Sequence, residues 1–305
     1  MTQGRGVAGE PSVGFVGFGE AGFTIGRGLR GAGLARLFAF DIATHSTDRG
    51  PLIRQRAADA GATLVDSPGA LAEACDLLFS AVTASSALDA ARAAAPFLES
   101  RHLYVDLNSV SPARKRDIGS VIGQTTAAFV EAAVMAPVQP YGHQVPMLVG
   151  GPGAGMLVER CAPFGMRQQV LTGAVGTAAA VKMCRSIVVK GLEALLVECV
   201  LGASRYDAGA HVFASLAESY PGLDWQQMAD YTMNRVVVHG ERRAHEMEEV
   251  AATLEAMGVE PMMASATVRR QAWSARLDLK SHFGPDGPAT CQEVLDVLAS
   301  REGKS

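Results

Sequence analysis

Three short constellations in this chain could carry chemistry. The first is Gly17-Phe18-Gly19-Glu20-Ala21-Gly22, glycines in a G-x-G-x-x-G spacing. Such glycines let a strand-to-helix turn fold tightly, let a pyrophosphate approach the backbone, and let the helix pack closely on the strand, with the helix N-terminus facing the phosphates. Glu20 and Ala21 lie inside the turn, Glu20 expected to point to solvent. Asp41 stands 22 residues after Gly19, about where a carboxylate accepts the adenosine ribose hydroxyls of NAD and repels a 2′-phosphate. The two signals together predict a dinucleotide site that prefers NAD. NADP stays open as cofactor, because Thr44, His45, Ser46 and Arg49 are near enough to serve a phosphate.

The second constellation, Asp106-Leu107-Asn108-Ser109-Val110-Ser111-Pro112, sets four polar side chains beside a chain-turning proline. It fits either a ligand-binding loop at the carboxyl edge of a sheet or an Asx/Ser turn that caps the helix starting at Pro112. The third is Lys182, one of only five lysines, flanked by small and apolar residues at a helix start. An ammonium there either snorkels to water or sits in a pocket suited to proton transfer.

These groups need elements to hold them. Ser12–Phe18 is an apolar run entering the glycine turn, and a helix is expected over Glu20–Arg30, stopped by Gly31-Ala32-Gly33. Further strands are expected at Arg36–Phe40, Leu77–Val82, Leu103–Leu107, Ala128–Val134 and Pro146–Val149, most separated by Ala-rich helical stretches. That alternation predicts an α/β doubly wound parallel sheet covered on both faces. Beyond Gly176 the pattern changes. Thr177–Ser204 runs without proline as one long helix, and Gln226–Val238, Gly240–Met257 and Pro261–Arg276 favour helix as well. The expectation is a dinucleotide-binding domain over 1–172 and an all-α substrate and dimerisation domain over 173–305. So long an apolar helix needs cover on more than one face, which predicts a homodimer.

Composition narrows the function classes. With 48% hydrophobic residues, 19% charged residues and a net charge of −4, the chain can bury a large core and offers no basic run to track nucleic acid. No signal-like start or membrane-spanning stretch is visible. Five cysteines, odd in number and without a C-x-x-C pair, are expected to be buried free thiols in a reducing cytoplasm. The histidines show no metal-ligand spacing, so no metal is expected. Tyr141 and His143 are expected to be surface or packing residues.

Taken in order, Gly17-x-Gly19-x-x-Gly22, Asp106-x-Asn108-Ser109, Gly173-Ala174-Val175-Gly176-Thr177 and Lys182 resemble the β-hydroxyacid dehydrogenase family, relatives of 6-phosphogluconate and 3-hydroxyisobutyrate dehydrogenases. The resemblance covers nearly the whole chain. It implies an N-terminal Rossmann domain, a long helix leading into an all-helical domain that often dimerises, and Lys182 as catalytic acid/base. It further implies that Val82 and Thr83 lie along the nicotinamide half, that Ser109 is near the cofactor, and that Asn108 faces substrate and orients its hydroxyl.

The departures bear on substrate. The family's Asp-x-Ser-Thr reads Asp106-Leu107-Asn108-Ser109 here, and its Ser-Gly-Gly loop, whose N–H groups hold a substrate carboxylate, corresponds to Met135-Ala136-Pro137. Proline has no N–H to donate, so that cradle is compromised. Ser186 replaces the asparagine expected four residues after the lysine, and a late Lys-Asp pair corresponds to His245-Glu246; a solvated acidic helix face is the plainer reading of that last segment. The expected activity is hydride transfer between nicotinamide and a small β-hydroxy acid or a related alcohol or carbonyl, an imine included. Met135, Ala136, Asn108 and Ser186 would contact this small-molecule substrate. The rival expectation is a cofactor-binding module without turnover.

Overall fold

The structure, a computed structural model, describes residues 11–302; most of the Gly-rich start, where no export signal is expected, lies outside them. The chain forms two compact units, the first ending at Lys182 and the second beginning at Met183.

The first unit is built on an eight-stranded sheet with strand order β3-β2-β1-β4-β5-β6-β7-β8. Its strands are β1 (Val13–Val16), β2 (Leu37–Phe40), β3 (Thr63–Leu64), β4 (Leu77–Ser80), β5 (Leu103–Asp106), β6 (Ala128–Val134), β7 (Met147–Gly150) and β8 (Gln168–Val170). Strands β1, β4 and β5 are buried at every residue, which is why they read as unbroken apolar runs rather than alternating ones. Helices α1 (Glu20–Gly31), α2 (Gly50–Ala60), α3 (Pro68–Ala74), α4 (Ala87–Ala94) and α5 (Pro112–Gly123) precede β6, and the kinked turn α6 (Val138–Tyr141) and α7 (Ala154–Cys161) follow it. Two apolar clusters fill the unit, one around Phe15, Ile25 and Leu77 and one around Leu71, Leu78 and Tyr104. The first six strands follow the 3-2-1-4-5-6 order of dinucleotide-binding sheets, so strand order reverses between β1 and β4 and opens a crevice beyond their carboxyl ends.

The expectation of a wholly parallel sheet is corrected at one edge. β7 pairs antiparallel with β6, since the segment between them contains no helix long enough for a crossover. That segment instead lies on α1, where a Cβ on Gly28 would stand 2.4 Å from the Nδ1 of His143, so His143 is a packing residue.

Helix α8 (Thr177–Ser204) has the expected bounds. The second unit continues with α9 (Gly209–Ser219), α10 (Trp225–Ala256), α11 (Met262–Gln271), α12 (Trp273–Arg276), α13 (Leu279–Phe283) and α14 (Cys291–Glu302). The break expected before Gly240 does not occur. Gly240 lies inside α10 because a Cβ there would come within 2.3 Å of the Gln271 carbonyl oxygen; the glycine serves helix-to-helix approach, not termination. Val197, Val200, Met233, Val236, Leu279 and Val294 form one apolar cluster of this unit and Met247, Val250 and Ala264 another; Arg243, also buried, forks onto Glu193, whose Oε2 also accepts from Gln271 Nε2 at 2.9 Å.

The cysteines need a correction. Cys75, Cys161 and Cys291 are buried, Cys199 is half-buried and Cys184 is exposed on α8. Burial pushes the thiols of Cys75 and Cys161 up to about 12, which leaves them unreactive at neutral pH. Among the described residues no helix is long and apolar enough to cross a membrane.

Candidate active site

The glycine turn sits at the sheet's reversal point, and each glycine answers a different demand. Gly17 has φ +87° and a Cβ there would lie 2.6 Å from the Ala81 carbonyl oxygen; a Cβ on Gly22 would lie 2.5 Å from the Gly17 carbonyl oxygen. Neither position accepts a side chain. A Cβ on Gly19 would meet nothing within 4 Å, so its bareness serves no internal packing and leaves the backbone open to an outside group. Gly19 caps α1 without any side-chain hydrogen bond, and the N–H groups of the first turn suit a pyrophosphate. The residues present therefore fit a dinucleotide. Glu20 is exposed and Ala21 half-buried.

Asp41 follows β2 directly. Its Oδ2 accepts from the Phe18 N–H at 2.8 Å and its Oδ1 from the Ala43 N–H at 2.9 Å. The carboxylate thus braces the glycine turn, and each oxygen keeps lone-pair capacity for a ribose hydroxyl.

The loops after β4 and β5 are tied together by a buried network. Lys115 on α5 is 1% exposed and donates to Asp106 Oδ2 and to the Asp106 carbonyl, both at 2.7 Å. Asp106, fully buried, takes the side-chain amide of Asn108 on its other oxygen. Asn108 in turn donates to Ser80 Oγ at 3.0 Å and accepts from the Val82 N–H at 2.7 Å. This corrects the expectation for Asn108. Its amide hydrogens are committed within the sheet edge and the residue is 4% exposed, so it positions Val82 rather than orienting a hydroxyl. The capping alternative also holds in part, since Ser111 Oγ accepts from the Arg114 N–H. Thr83 is exposed, its hydroxyl shared with Ser85 and Ser86 at 3.1 and 2.9 Å.

Ser109, exposed beside Asn108, receives the Lys182 ammonium: Nζ to Oγ is 2.7 Å across 73 residues of sequence. The lysine sits in the second turn of α8, whose start is fixed from the sheet. Glu131 on β6, fully buried, accepts from the Gly176 N–H at 2.8 Å and the Ala178 N–H at 3.2 Å through Oε1. Gly176 has φ +105° and a Cβ there would lie 2.9 Å from the Pro112 carbonyl oxygen, so only glycine can lead into the helix here. Lys115 and Glu131 are absent from the residues expected above, and a charged residue on an apolar face is the signal that marks each. Lys115 shares one α5 face with buried Ile118 and Ile122, and Glu131 interrupts the apolar strand Ala128–Val134.

Met135 and Ala136 are half-buried. The Met135 N–H is spent on the Pro146 carbonyl at 2.9 Å and Pro137 has none, so two of the three groups expected in a carboxylate cradle do not donate. In the second unit, Ser186 is half-buried one helical turn beyond Lys182. His245 and Glu246 diverge. His245 is exposed and its Nδ1 lies 3.0 Å from Glu248 Oε2, which pushes the imidazole up, whereas Glu246 pairs with Lys190 at 3.0 Å and with Arg242. Burial alone would raise the Glu246 carboxyl, but Lys190 and Arg242 outweigh it and hold it below the ordinary range. His239, pushed down to about 4 by burial and by Arg235, Arg242, Arg243 and Lys280 around it, stays neutral at pH 7. Among the described residues no three His, Cys, Asp or Glu side chains converge as metal ligands.

Residues 12–163 match the NAD binding domain of 6-phosphogluconate dehydrogenase, and residues 203–274 match a domain of unknown function, DUF1932. A conserved hypothetical protein from Sinorhizobium meliloti has a structure similar to this chain, with 36% identity, a TM-score of 0.80 and coverage of 92% of this chain and 94% of that one. A second conserved protein, described as structurally similar to 3-hydroxyacid dehydrogenases, is 31% identical with a TM-score of 0.74 and coverage of 88% and 98%. The 3-hydroxyisobutyrate dehydrogenase of Mycobacterium tuberculosis, 16% identical with a TM-score of 0.74 over 93% and 98% of the two chains, shares the fold. The chain belongs to the β-hydroxyacid dehydrogenase family, on a divergent branch that joins an NAD(P)-binding Rossmann domain to a helical C-terminal domain of its own.

Proposed function

We propose that the protein is an NAD(P)-dependent oxidoreductase acting on a small β-hydroxy acid or a related alcohol or carbonyl compound, with Lys182 as general acid/base. The observation that carries this reading is the 2.7 Å contact of Lys182 Nζ with Ser109 Oγ, which ties the amine to the loop following β5. Nicotinamide, when bound, supplies the hydride chemistry. The chain's own part is to hold, orient and exchange a proton: Ser109 fixes the amine, and Lys182 takes the hydroxyl proton in oxidation or returns it in reduction. Asn108 acts at one remove by fixing Val82. With Pro137 and the engaged Met135 N–H in the loop that would hold a carboxylate, a substrate bulkier or less anionic than the small hydroxy acids is favoured. Screening alcohols, hydroxy acids, ketones and imines with both cofactors by nicotinamide absorbance tests the reading. Turnover of any of these classes supports it; firm cofactor binding with no turnover across all four favours the non-catalytic rival.

NAD is the proposed cofactor, since the Asp41 carboxylate opposes a 2′-phosphate beside the ribose. Calorimetry is expected to show NADH binding at least about tenfold tighter than NADPH, and Asp41→Ala narrowing that gap. Tighter NADPH binding, or an unchanged gap in the variant, would remove Asp41 from the selectivity role.

The helical unit is proposed to join a homodimer. Val181, Val188 and Leu195, seven residues apart along α8, are 41%, 70% and 57% exposed, an apolar stripe of the kind helices bury against a partner. Sedimentation at micromolar concentration is expected to give twice the chain mass, and Val188→Glu to give the monomer.

A further inference from the structure

Glu131 is a costly residue for the place it holds. It is fully buried in a strand of alanine, phenylalanine and valine, where an ionised carboxylate loses several kcal/mol of hydration unless something compensates. Its Oε1 holds the Gly176 and Ala178 N–H groups, while its Oε2 is buried and meets no hydrogen-bond donor among the described residues. The sheet makes room for it. Gly150, its register partner across β6 and β7, would bring a Cβ to 3.0 Å from Oε1. An ordinary helix start needs none of this, because a serine, threonine or aspartate at the cap satisfies the same N–H groups at the surface.

What distinguishes this helix start is the residue it leads to. Ala178 precedes Lys182 by four residues, one turn on the same face, and the two backbones lie roughly 6 Å apart along the axis. A lysine so near a helix N-terminus feels the positive end of the macrodipole, which disfavours the ammonium. A buried negative charge at that same end opposes the effect, and it acts through a weakly screening interior. We infer that Glu131 is a positioning residue for Lys182: its carboxylate locks the first turn of α8 to β6 and stabilises the protonated amine that Ser109 receives.

This inference rests on the proposed role of Lys182, but its test reads the amine itself. Lysine labelled with carbon-13 at the ε position gives five signals in this chain, and a Lys182→Ala sample identifies the one that matters. In Glu131→Gln the Lys182 titration midpoint is expected to fall by about one pH unit. In Glu131→Asp, which keeps the charge but withdraws it by one methylene, the fall should be smaller. Should the glutamine variant not fold by circular dichroism, the aspartate variant decides alone. An unchanged midpoint in whichever variant folds overturns the inference, because a purely structural cap would change stability without moving a lysine titration. The two readings separate cleanly. A shifted midpoint with full turnover in Lys182→Ala would retain Glu131's influence and remove Lys182 from catalysis; an unshifted midpoint with a dead Lys182→Ala enzyme would do the reverse.

Discussion

Lys182→Ala is expected to lower turnover by about 10²–10⁴-fold, the range ordinarily lost with a general acid/base, while leaving NADH affinity within a factor of about three. The separation follows from placement. The glycine turn and Asp41, which suit the pyrophosphate and ribose, lie at the ends of β1 and β2, whereas the amine enters on α8 and contacts Ser109 after β5. Single-turnover measurement at saturating cofactor reads the chemical step directly. Ser109→Ala should fall between wild type and the lysine variant, since it removes the hydroxyl that fixes the amine and leaves the amine in place. His245 is the natural control: it is exposed and pairs with Glu248, so His245→Ala should keep nearly full activity. Loss of the chemical step in His245→Ala alone would transfer the acid/base role to the imidazole.

The largest effect on stability is expected at Lys115. Both members of the Lys115–Asp106 pair are buried, at 1% and 0% side-chain exposure, with Nζ and Oδ2 2.7 Å apart. Lys115→Met leaves an uncompensated carboxylate inside the sheet unit, which costs about 3–5 kcal/mol. For a unit of this size that is a fall of about 10 °C in the melting transition. Asp106 also holds Asn108, which holds Val82, so the variant should lose cofactor affinity as well. The double variant Lys115→Met/Asp106→Leu should regain part of the stability, because no buried charge is then left alone, but not the cofactor affinity, because Asn108 remains unbraced. Equal melting temperatures for wild type and Lys115→Met would show that the pair contributes nothing net.

Most of the sheet could be read from the residues. β1, β4 and β5 are buried on both faces and so appear as continuous apolar runs, and Thr177–Ser204 declares itself by lacking proline and nearly lacking glycine. β3 and β8 were not legible. They contain two and three residues, largely polar or exposed, and owe their strand state to pairing with β2 and β7 rather than to any pattern of their own. Gly240 misled for a related reason. A glycine in a helical stretch signals a stop when read locally, whereas this one makes room for a neighbouring backbone that lies 31 residues ahead.

Within the site, the glycine turn, Asp41 and Lys182 were visible because spacing or scarcity marks them. Asn108 was visible as a polar residue but not in its direction. Whether an amide faces outward to a ligand or inward to a backbone N–H depends on the strand beside it, and Ser80 and Val82 lie 28 and 26 residues earlier in the chain. Lys115 and Glu131 were hidden among charges that look solvated until the helix and strand faces are known.

The exposed thiol on α8 gives the proposed stripe a chemical handle. Cys184 lies three residues after Val181 and four before Val188, hence on the same side of the helix. If two copies meet along that side, each carries its accessible sulfur into the contact while the buried thiols stay inert. Association would then be legible as slowed alkylation of Cys184, and storage in air would be the condition under which a reversible pair becomes a covalent one.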